Sequence, residues 1–360
     1  MVSPVGNPDL SPTGPISGPI LLNARAATRP TITGVERWTA EVIPRLRALD
    51  PERYVIVRPR PRMRRRLAAQ TWEQVALPAL ARRARAALVF SPANLAPLAW
   101  PRNVVVIHDA AVLREADAYS RAYVLWHRRF GLAAARRALA VITVSEFSRG
   151  ELVSLAGLDP ARVHVVPGGV SERFHPGVDH ERVTSKLGLH RPYVLTIATA
   201  DRRKNLASLA VAAARLADEG IDLVWAGDDR PYFSASGAIR GLRSLGYVDD
   251  ADLPGLYAGA RAFVLPSRYE GFGLTCLEAM ACGVPVVAAD RAALPETCGD
   301  AALLVDPDDP DTVADALHRA VGDTQLRGRL REAGLERSGQ LSWDIAARRV
   351  EVALHAVTGA

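Results

Sequence analysis

A chain of 360 residues, 49% hydrophobic and 23% charged, has the composition of a soluble globular protein and is too long for one ordinary core. No uninterrupted apolar run approaches the ~18 residues of a membrane-spanning helix, and the best candidate, 131–144, is broken by Arg136 and Arg137. Three cysteines (Cys276, Cys282 and Cys298) are too few for a disulfide framework and lack zinc-ligand spacing, which fits a reducing cytoplasm and no bound metal.

Residues 1–19, rich in Pro, Gly and Ser, read as a flexible tail without a basic-then-apolar leader pattern. Short apolar, β-branched runs then recur at 19–22, 54–57, 87–90, 104–107, 140–144 and 163–166. After a polar, proline-bearing stretch at 177–192 they resume at 193–198, 222–226, 262–265, 284–288 and 302–305. Amphipathic helical patterns lie between them at 120–139, 206–217 and 310–320, and a last one at 343–357 reads as a closing helix. Such alternation predicts an α/β protein of parallel sheets covered by helices on both faces. The expected organisation is a tail at 1–19, one Rossmann-like domain at 20–183, a second at 190–340 and a closing helix at 341–358. Ligands of doubly wound sheets sit beyond the carboxyl ends of the strands, so two such domains facing each other would place chemistry in the cleft between them.

The net charge of +6 hides an asymmetry. Residues 1–190 hold 27 Lys and Arg against 15 Asp and Glu, a net of +12, and the remainder carries −6. A solvated surface is the first reading of this excess, an anionic membrane the second. Nucleic acid ranks last, because no recognition module or aromatic interleaving accompanies the arginines. Of the 45 basic residues only Lys186 and Lys204 are lysine, so each lysine raises a question about its site.

The strongest local pattern follows the run at 262–265. Glu270 precedes Gly271-Phe272-Gly273, a helix pattern begins near Leu274 and Thr275 and carries Glu278, and Gly283 ends it. The glycines permit close approach to a ligand, and the helix N-terminus is an anion site. A diphosphate there would have one carboxylate near each end. Equally, Thr275 and Glu278 could form a capping box. A second pattern puts Arg202, Arg203 and Lys204 between a strand and a helix, where cations are disfavoured by the helix dipole but suited to a departing diphosphate. A third sets His108 and Asp109 at the end of a buried strand. A fourth, Thr31 to Trp38, opens a helix after the first strand with Gly34 in its turn.

Taken in order, these segments resemble the family-4 retaining glycosyltransferases of the GT-B fold, over about residues 21–350. The Glu-x7-Glu element from Glu270 to Glu278 is the most specific piece. Arg203-Lys204-Asn205, Gly246-Tyr247-Val248-Asp249-Asp250, Val144-Ser145-Glu146-Phe147-Ser148 and Val166-Pro167-Gly168-Gly169-Val170 accompany it. The resemblance implies that Glu278 binds the donor ribose and Glu270 the transferred sugar. Gly271, Phe272, Gly273, Leu274 and Thr275 would hold the diphosphate with Arg203 and Lys204. Gly246, Tyr247 and Val248 would border the base, while His108 and Gly34 approach from the N-terminal domain.

The resemblance further implies a metal-independent, retaining hexosyltransferase whose co-substrate is a nucleotide-diphosphate sugar. No other cofactor is expected. Ala198 and Thr199 depart from many relatives, which have Gly and Arg there. The segments Thr71-Trp72-Glu73-Gln74 and Ser91-Pro92-Ala93-Asn94 resemble those of polysaccharide-elongating members, which points to mannosyl- or rhamnosyl-type transfer, with a GDP-linked donor ahead of uridine or thymidine ones. The acceptor would be a glycan or a lipid-linked one, met in the cytoplasm, with peripheral contact to the inner membrane face through the arginine-rich half. Three rivals are a non-hydrolysing nucleotide-sugar epimerase, a non-catalytic polyanion-binding protein and a dehydrogenase. The last lacks a Gly-x-Gly-x-x-Gly opening a helix.

Overall fold

The computed structural model describes residues 17–28, 33–60, 66–227 and 241–359. Most of the expected tail, Thr31 and Ile32, and the arginine run at 61–65 lie outside these residues.

Among the described residues the chain forms twelve strands in two six-stranded sheets, every registered pair parallel. The first holds β1 (Ile20–Asn23), β2 (Tyr54–Val57), β3 (Leu88–Ser91), β4 (Asn103–Val106), β5 (Ala140–Thr143) and β6 (Val163–Val165), in the order β2-β1-β3-β4-β5-β6. The second holds β7 (Tyr193–Ile197), β8 (Asp222–Ala226), β9 (Arg243–Gly246), β10 (Ala262–Leu265), β11 (Val286–Ala289) and β12 (Ala302–Val305), in the order β12-β11-β10-β7-β8-β9. Central strands β1, β3, β4, β10 and β11 are buried along their whole length, as continuous apolar runs with helices on both faces require. The strand order turns back between β1 and β3, and again between β7 and β10. The loops leaving these strands therefore open into the cleft.

Two corrections concern elements the sequence pattern did not announce. Strand β9 is an edge strand with a half-exposed, mostly polar sequence, so it carries no apolar run. The stretch 177–192, marked in the sequence only by its polar residues and prolines, holds an element of its own. It contains the helix Glu181–Lys186, which crosses the expected domain end at 183 and packs Val183 where a Cβ on Gly255 would stand.

The chain crosses between the sheets twice, and glycines make the crossing compact. Val170 N donates to the Leu341 carbonyl at 2.9 Å, and any side chain on Gly169 would overlap the Ser342–Trp343 backbone. Gly168 is packed just as tightly, since a Cβ there would lie 2.8 Å from Leu274. The closing helix Trp343–Thr358 then returns to the first domain and packs along the helix Gly34–Leu49, with Asp344 paired to Arg45 at 2.9 Å.

Gly169→Ala is therefore expected to lower stability by about 1–3 kcal/mol, because backbone rather than a movable side chain stands in the way. Gly150→Ala, in a helix with nothing within 4 Å of the new methyl, is expected to raise it by about 0.5–1 kcal/mol. Denaturant unfolding of both variants checks the pair.

Candidate active site

Three loops build the cleft from the second domain. After β10, the loop runs through Glu270 to Gly273, which has φ +108° and serves as N-cap of the helix Leu274–Ala281. Its N-cap glycine has no side chain to cap it, so among the described residues no side-chain cap closes the leading N–H groups, which suits them to a ligand. The capping-box alternative for Thr275 and Glu278 fails on this point. Glu278 instead lies buried beneath the helix, accepting from the Tyr257 hydroxyl at 2.9 Å.

After β7, Asp201 accepts from Arg203 N and starts a tight turn, Arg202–Lys204, that turns two of its three cations inward. Arg203 is buried, donates to the Tyr269 carbonyl at 2.7 Å and lies 3.6 Å from Glu270. Lys204 Nζ meets Glu270 Oε1 at 2.6 Å. Lys186, the other lysine, pairs with Asp252 at 2.5 Å on the surface side of the domain, so rarity alone did not mark a functional site. The third loop, after β9, brings Tyr247 and Val248 to the cavity wall, whereas Gly246 only ends the strand at φ +64°.

From the first domain comes the helix Gly34–Leu49, whose N-terminus is closed by a Thr33–Glu36 capping box. A Cβ on Gly34 would stand 3.7 Å from Leu274, so the two domains meet at ordinary contact distance here. One turn on, Arg37 reaches across the cleft. Its Nε lies 3.2 Å from Glu278, and its other arm binds Asp250, which Arg173 also holds at 2.5 Å. Sequence reasoning gave Arg37 no role, because its partners lie more than 200 positions away.

His108 leaves β4 beneath this helix, buried and edge-on to Trp38 at 5.7 Å between ring centres. Its Nε2 is 2.9 Å from the Pro92 carbonyl, which can only accept. The ring therefore carries its proton on Nε2 and presents Nδ1 as an acceptor. Asn94 fixes the same residue by accepting from its backbone N–H at 2.8 Å. The segments around Glu73 and Asn94 serve this placement. Gln74 clamps the 92–98 loop through Ala96 and Leu98, while Glu73 is buried against Arg25 and Asn23.

Gly271 has a different reason to be glycine from the one its motif suggested. A Cβ there would lie 2.7 Å from both the His108 carbonyl and Asp109. The close approach is thus between domains. Ser145 and Ser148 donate to its carbonyl at 2.7 and 3.1 Å, and Glu296 accepts from the Glu146 and Phe147 N–H groups at 2.8 and 3.1 Å.

The two carboxylates of the Glu-x7-Glu element are driven in opposite directions. Burial raises the pKa of Glu278, and its share of Arg37 does not offset that cost. Glu270 is equally buried, but Lys204 and Arg203 together outweigh burial and hold it below the usual carboxylate range. Burial would lower Arg203, yet its anionic neighbours raise it overall, so it stays a fixed cation. Asp250 is held down, its burial outweighed by Arg173 and Arg37. The cleft thus carries two paired ion clusters. Among the described residues no group of three or more His, Cys, Asp or Glu side chains is placed to hold a metal ion.

These side chains line one cavity of about 670 Å³, closed on one side by the first domain and on the other by the Glu270–Thr275 loop. Residues 32–174 match the family described as Glycosyltransferase Family 4, and residues 191–323 match Glycosyl transferases group 1. The chain is 35% identical over 256 residues to an O-antigen chain mannosyltransferase B of Escherichia coli, covering 68% of this chain and 67% of that protein. This is a family-4 glycosyltransferase.

Its fold is GT-B, and the dehydrogenase alternative falls away with the match. A second relative, the MMP alpha-(1->4)-mannosyltransferase of Mycolicibacterium hassiacum, is 32% identical over 61% of this chain and 54% of its own length. The match thus spans about two thirds of the first relative's length and about half of the second's. In structure, the glycosyltransferase superposes on a sucrose-phosphate synthase from Thermosynechococcus elongatus with TM-score 0.74 at 20% identity, over 96% of this chain and 100% of that one. It superposes on Anabaena Alr3699/HepE, determined in complex with UDP and glucose, with TM-score 0.70 at 18% identity, over 94% and 100%. Among the described residues no helix is long and apolar enough to cross a membrane.

One prediction concerns His108. Burial lowers its pKa from 6.5, partly opposed by the Pro92 carbonyl, so the folded protein binds the ring proton less readily than the unfolded chain. The neutral ring's contribution to stability is complete above the unfolded value and is lost as pH falls through the folded one. Between pH 7.5 and 5.5 the wild type should lose more unfolding free energy than His108→Gln. Parallel pH profiles in denaturant titrations would contradict this.

Proposed function

We propose that this glycosyltransferase moves a hexose of mannosyl or rhamnosyl type, with retention, from a nucleotide-diphosphate sugar to a glycan or lipid-linked acceptor in polysaccharide or glycoconjugate synthesis. The observation that carries the reading is the Lys204–Glu270 pair at the mouth of an uncapped helix, with Glu278 buried beneath the same helix. The mannosyltransferase relatives support the choice of sugar.

The site's charges suggest an exchange of partners. A diphosphate arriving at the N–H groups of Leu274 and Thr275 draws Arg203 and Lys204 toward its oxygens. Glu270 is then released from Lys204 and accepts hydrogen bonds from hydroxyls of the sugar. At the far end, ribose hydroxyls donate to Glu278 in place of Arg37, beside Tyr247 and Val248. Nδ1 of His108 accepts from another hydroxyl of the donor sugar.

As the bond between the anomeric carbon and the phosphate oxygen breaks, the two cations stabilise the charge building on the diphosphate. The acceptor hydroxyl attacks from the same face and gives its proton to that departing oxygen. In this reading the cations do the work that a divalent metal does in other phosphate chemistry, and a GDP-linked donor is favoured. The reaction would take place in the cytoplasm, near the inner membrane face.

Two outcomes are expected. Lys204→Ala should lower kcat/KM at least about tenfold, or ~1.4 kcal/mol of transition-state stabilisation, and an unchanged value would remove Lys204 from the mechanism. Glu278→Gln should weaken nucleotide binding while unfolding as a single transition near the wild-type midpoint. Calorimetry with GDP, UDP, dTDP and ADP in EDTA-containing buffer reads both the base and the need for metal. Binding that appears only when Mg²⁺ or Mn²⁺ is added would overturn the metal-free mechanism.

A further inference from the structure

The cavity does not end at His108. It continues into the first domain, between the strands β4 and β5 and a helical run from Arg121 to Arg137 that contains a π turn at His127–Gly131. Val112, Leu113, Leu132, Ala135 and Leu152 wall this lobe. Among the described lining residues from 112 to 152 there is no carboxylate, amide, cation of Lys or Arg, or Ser or Thr hydroxyl. At its root, Asn94 Oδ1 accepts from His108 N, and Asp109 Oδ1 from Ala111 N at 2.9 Å.

What polarity the lobe has is aromatic. Tyr119, Tyr123 and His127 line it at four-residue spacing, with Tyr119 and Tyr123 stacked 5.4 Å apart at 10° and Tyr123 and His127 at 4.0 Å. Tyr123 and His127 share one face of the run, Tyr119 stacks on Tyr123 from the extended residue just before the helix, and the π turn then leads the chain to Leu132. On the outer side of the same run Leu125 is 70% exposed and Phe130 39%, among exposed Arg121, Arg128 and Arg129.

A subsite for a second saccharide needs several side-chain donors and acceptors, since each sugar hydroxyl that leaves water unpaired costs free energy. This lobe offers none beyond its aromatic rim. Aliphatic walls behind an aromatic rim match a hydrocarbon chain joined to a polar head. We propose that the lobe is the acceptor's chain subsite, so that the acceptor is an amphiphile whose hydroxyl-bearing head lies at His108 and whose apolar chain runs along Leu113, Leu132 and Ala135. The proposal rests on the glycosyltransferase reading of the cleft and selects among its acceptors. Either a membrane lipid or a soluble alkyl-bearing glycoside has this chemistry.

Methyl, butyl and octyl α-mannosides, each below its micellar concentration, are titrated into the full chain in the presence of saturating nucleotide diphosphate. The octyl compound should bind at least tenfold more tightly than the methyl one, since each buried methylene contributes. Leu132→Asp, at a half-buried position, should erase the chain-length gain while leaving nucleotide affinity unchanged. Leu113→Asn provides the same reading should the first variant unfold at a lower temperature. Equal affinities across the series, or a gain that survives in both variants, would overturn the chain subsite.

Co-sedimentation with phosphatidylglycerol vesicles separates the two sources. Sedimentation that both variants weaken assigns the chain to a bilayer lipid, and octyl mannoside binding without sedimentation assigns it to a soluble glycoside. Loss of nucleotide binding with an intact chain-length series would count against the donor reading alone.

Discussion

A single guanidinium from the first domain holds two carboxylates of the second. Arg37 bridges Glu278 and Asp250 across the cleft, and its own helix begins opposite the Gly271–Gly273 loop. Every other feature of the site depends on the two domains being brought to this distance. Withdrawing Arg37 would leave Glu278 buried without an ion-pair partner, at a cost of about 3–5 kcal/mol, so the bridge resists opening unless something replaces it. Ribose hydroxyls are suitable replacements at Glu278 because they donate to the same oxygen. Asp250 keeps Arg173, so Arg37 can leave Glu278 without leaving either carboxylate bare.

The same logic applies at the other carboxylate. Lys204 neutralises Glu270, and both side chains are largely buried. Substrate then exchanges one set of ionic partners for another instead of desolvating bare charges, which keeps the electrostatic cost of binding small. Burial raises both carboxylates; at Glu270 the adjoining Lys204 and Arg203 outweigh it, whereas Glu278 shares its arginines with Asp250, whose own negative charge works against it. One loop and the short helix after it thereby carry two carboxylates with different chemical characters, set by environment and not by residue type.

How much of this was legible in the sequence depended on burial. Parallel strands covered on both faces must be apolar along their length, and their runs stood out. Strand β9 escaped because an edge strand with a solvent side has no such run. The helix Thr324–Gly339 escaped for a related reason. Its buried positions, Leu326, Leu330, Gly334 and Ser338, form a stripe one residue wide, and half of it is Gly and Ser. Gly334 is there because Met280 of the Glu278 helix packs against it, 3.2 Å from where a Cβ would stand. Glu270 and Lys204 could be singled out from their own neighbourhoods. Arg37, Tyr257 and the interdomain purpose of Gly271 could not, since each acquires meaning only from a partner that the fold supplies.

The arginine excess of the first domain takes on a different sense in three dimensions. Arg136 donates twice to the Ala156 carbonyl, Arg149 to those of Val163 and Pro160, Arg162 to Leu139 and Arg82 to Ala99. These carbonyls lie at helix ends, strand ends and turns, where backbone partners are fewer. A planar group with five donors can reach two such acceptors at once, which an ammonium on a flexible stem does less well. Much of the positive charge is therefore structural, spent on tying loops to elements, and the +12 of residues 1–190 overstates the charge free to attract a polyanion. Against that background Lys204 is the exception that fits its place. A compact, mobile point charge can change partner from Glu270 to a phosphate oxygen without the reorientation a bidentate fork would require.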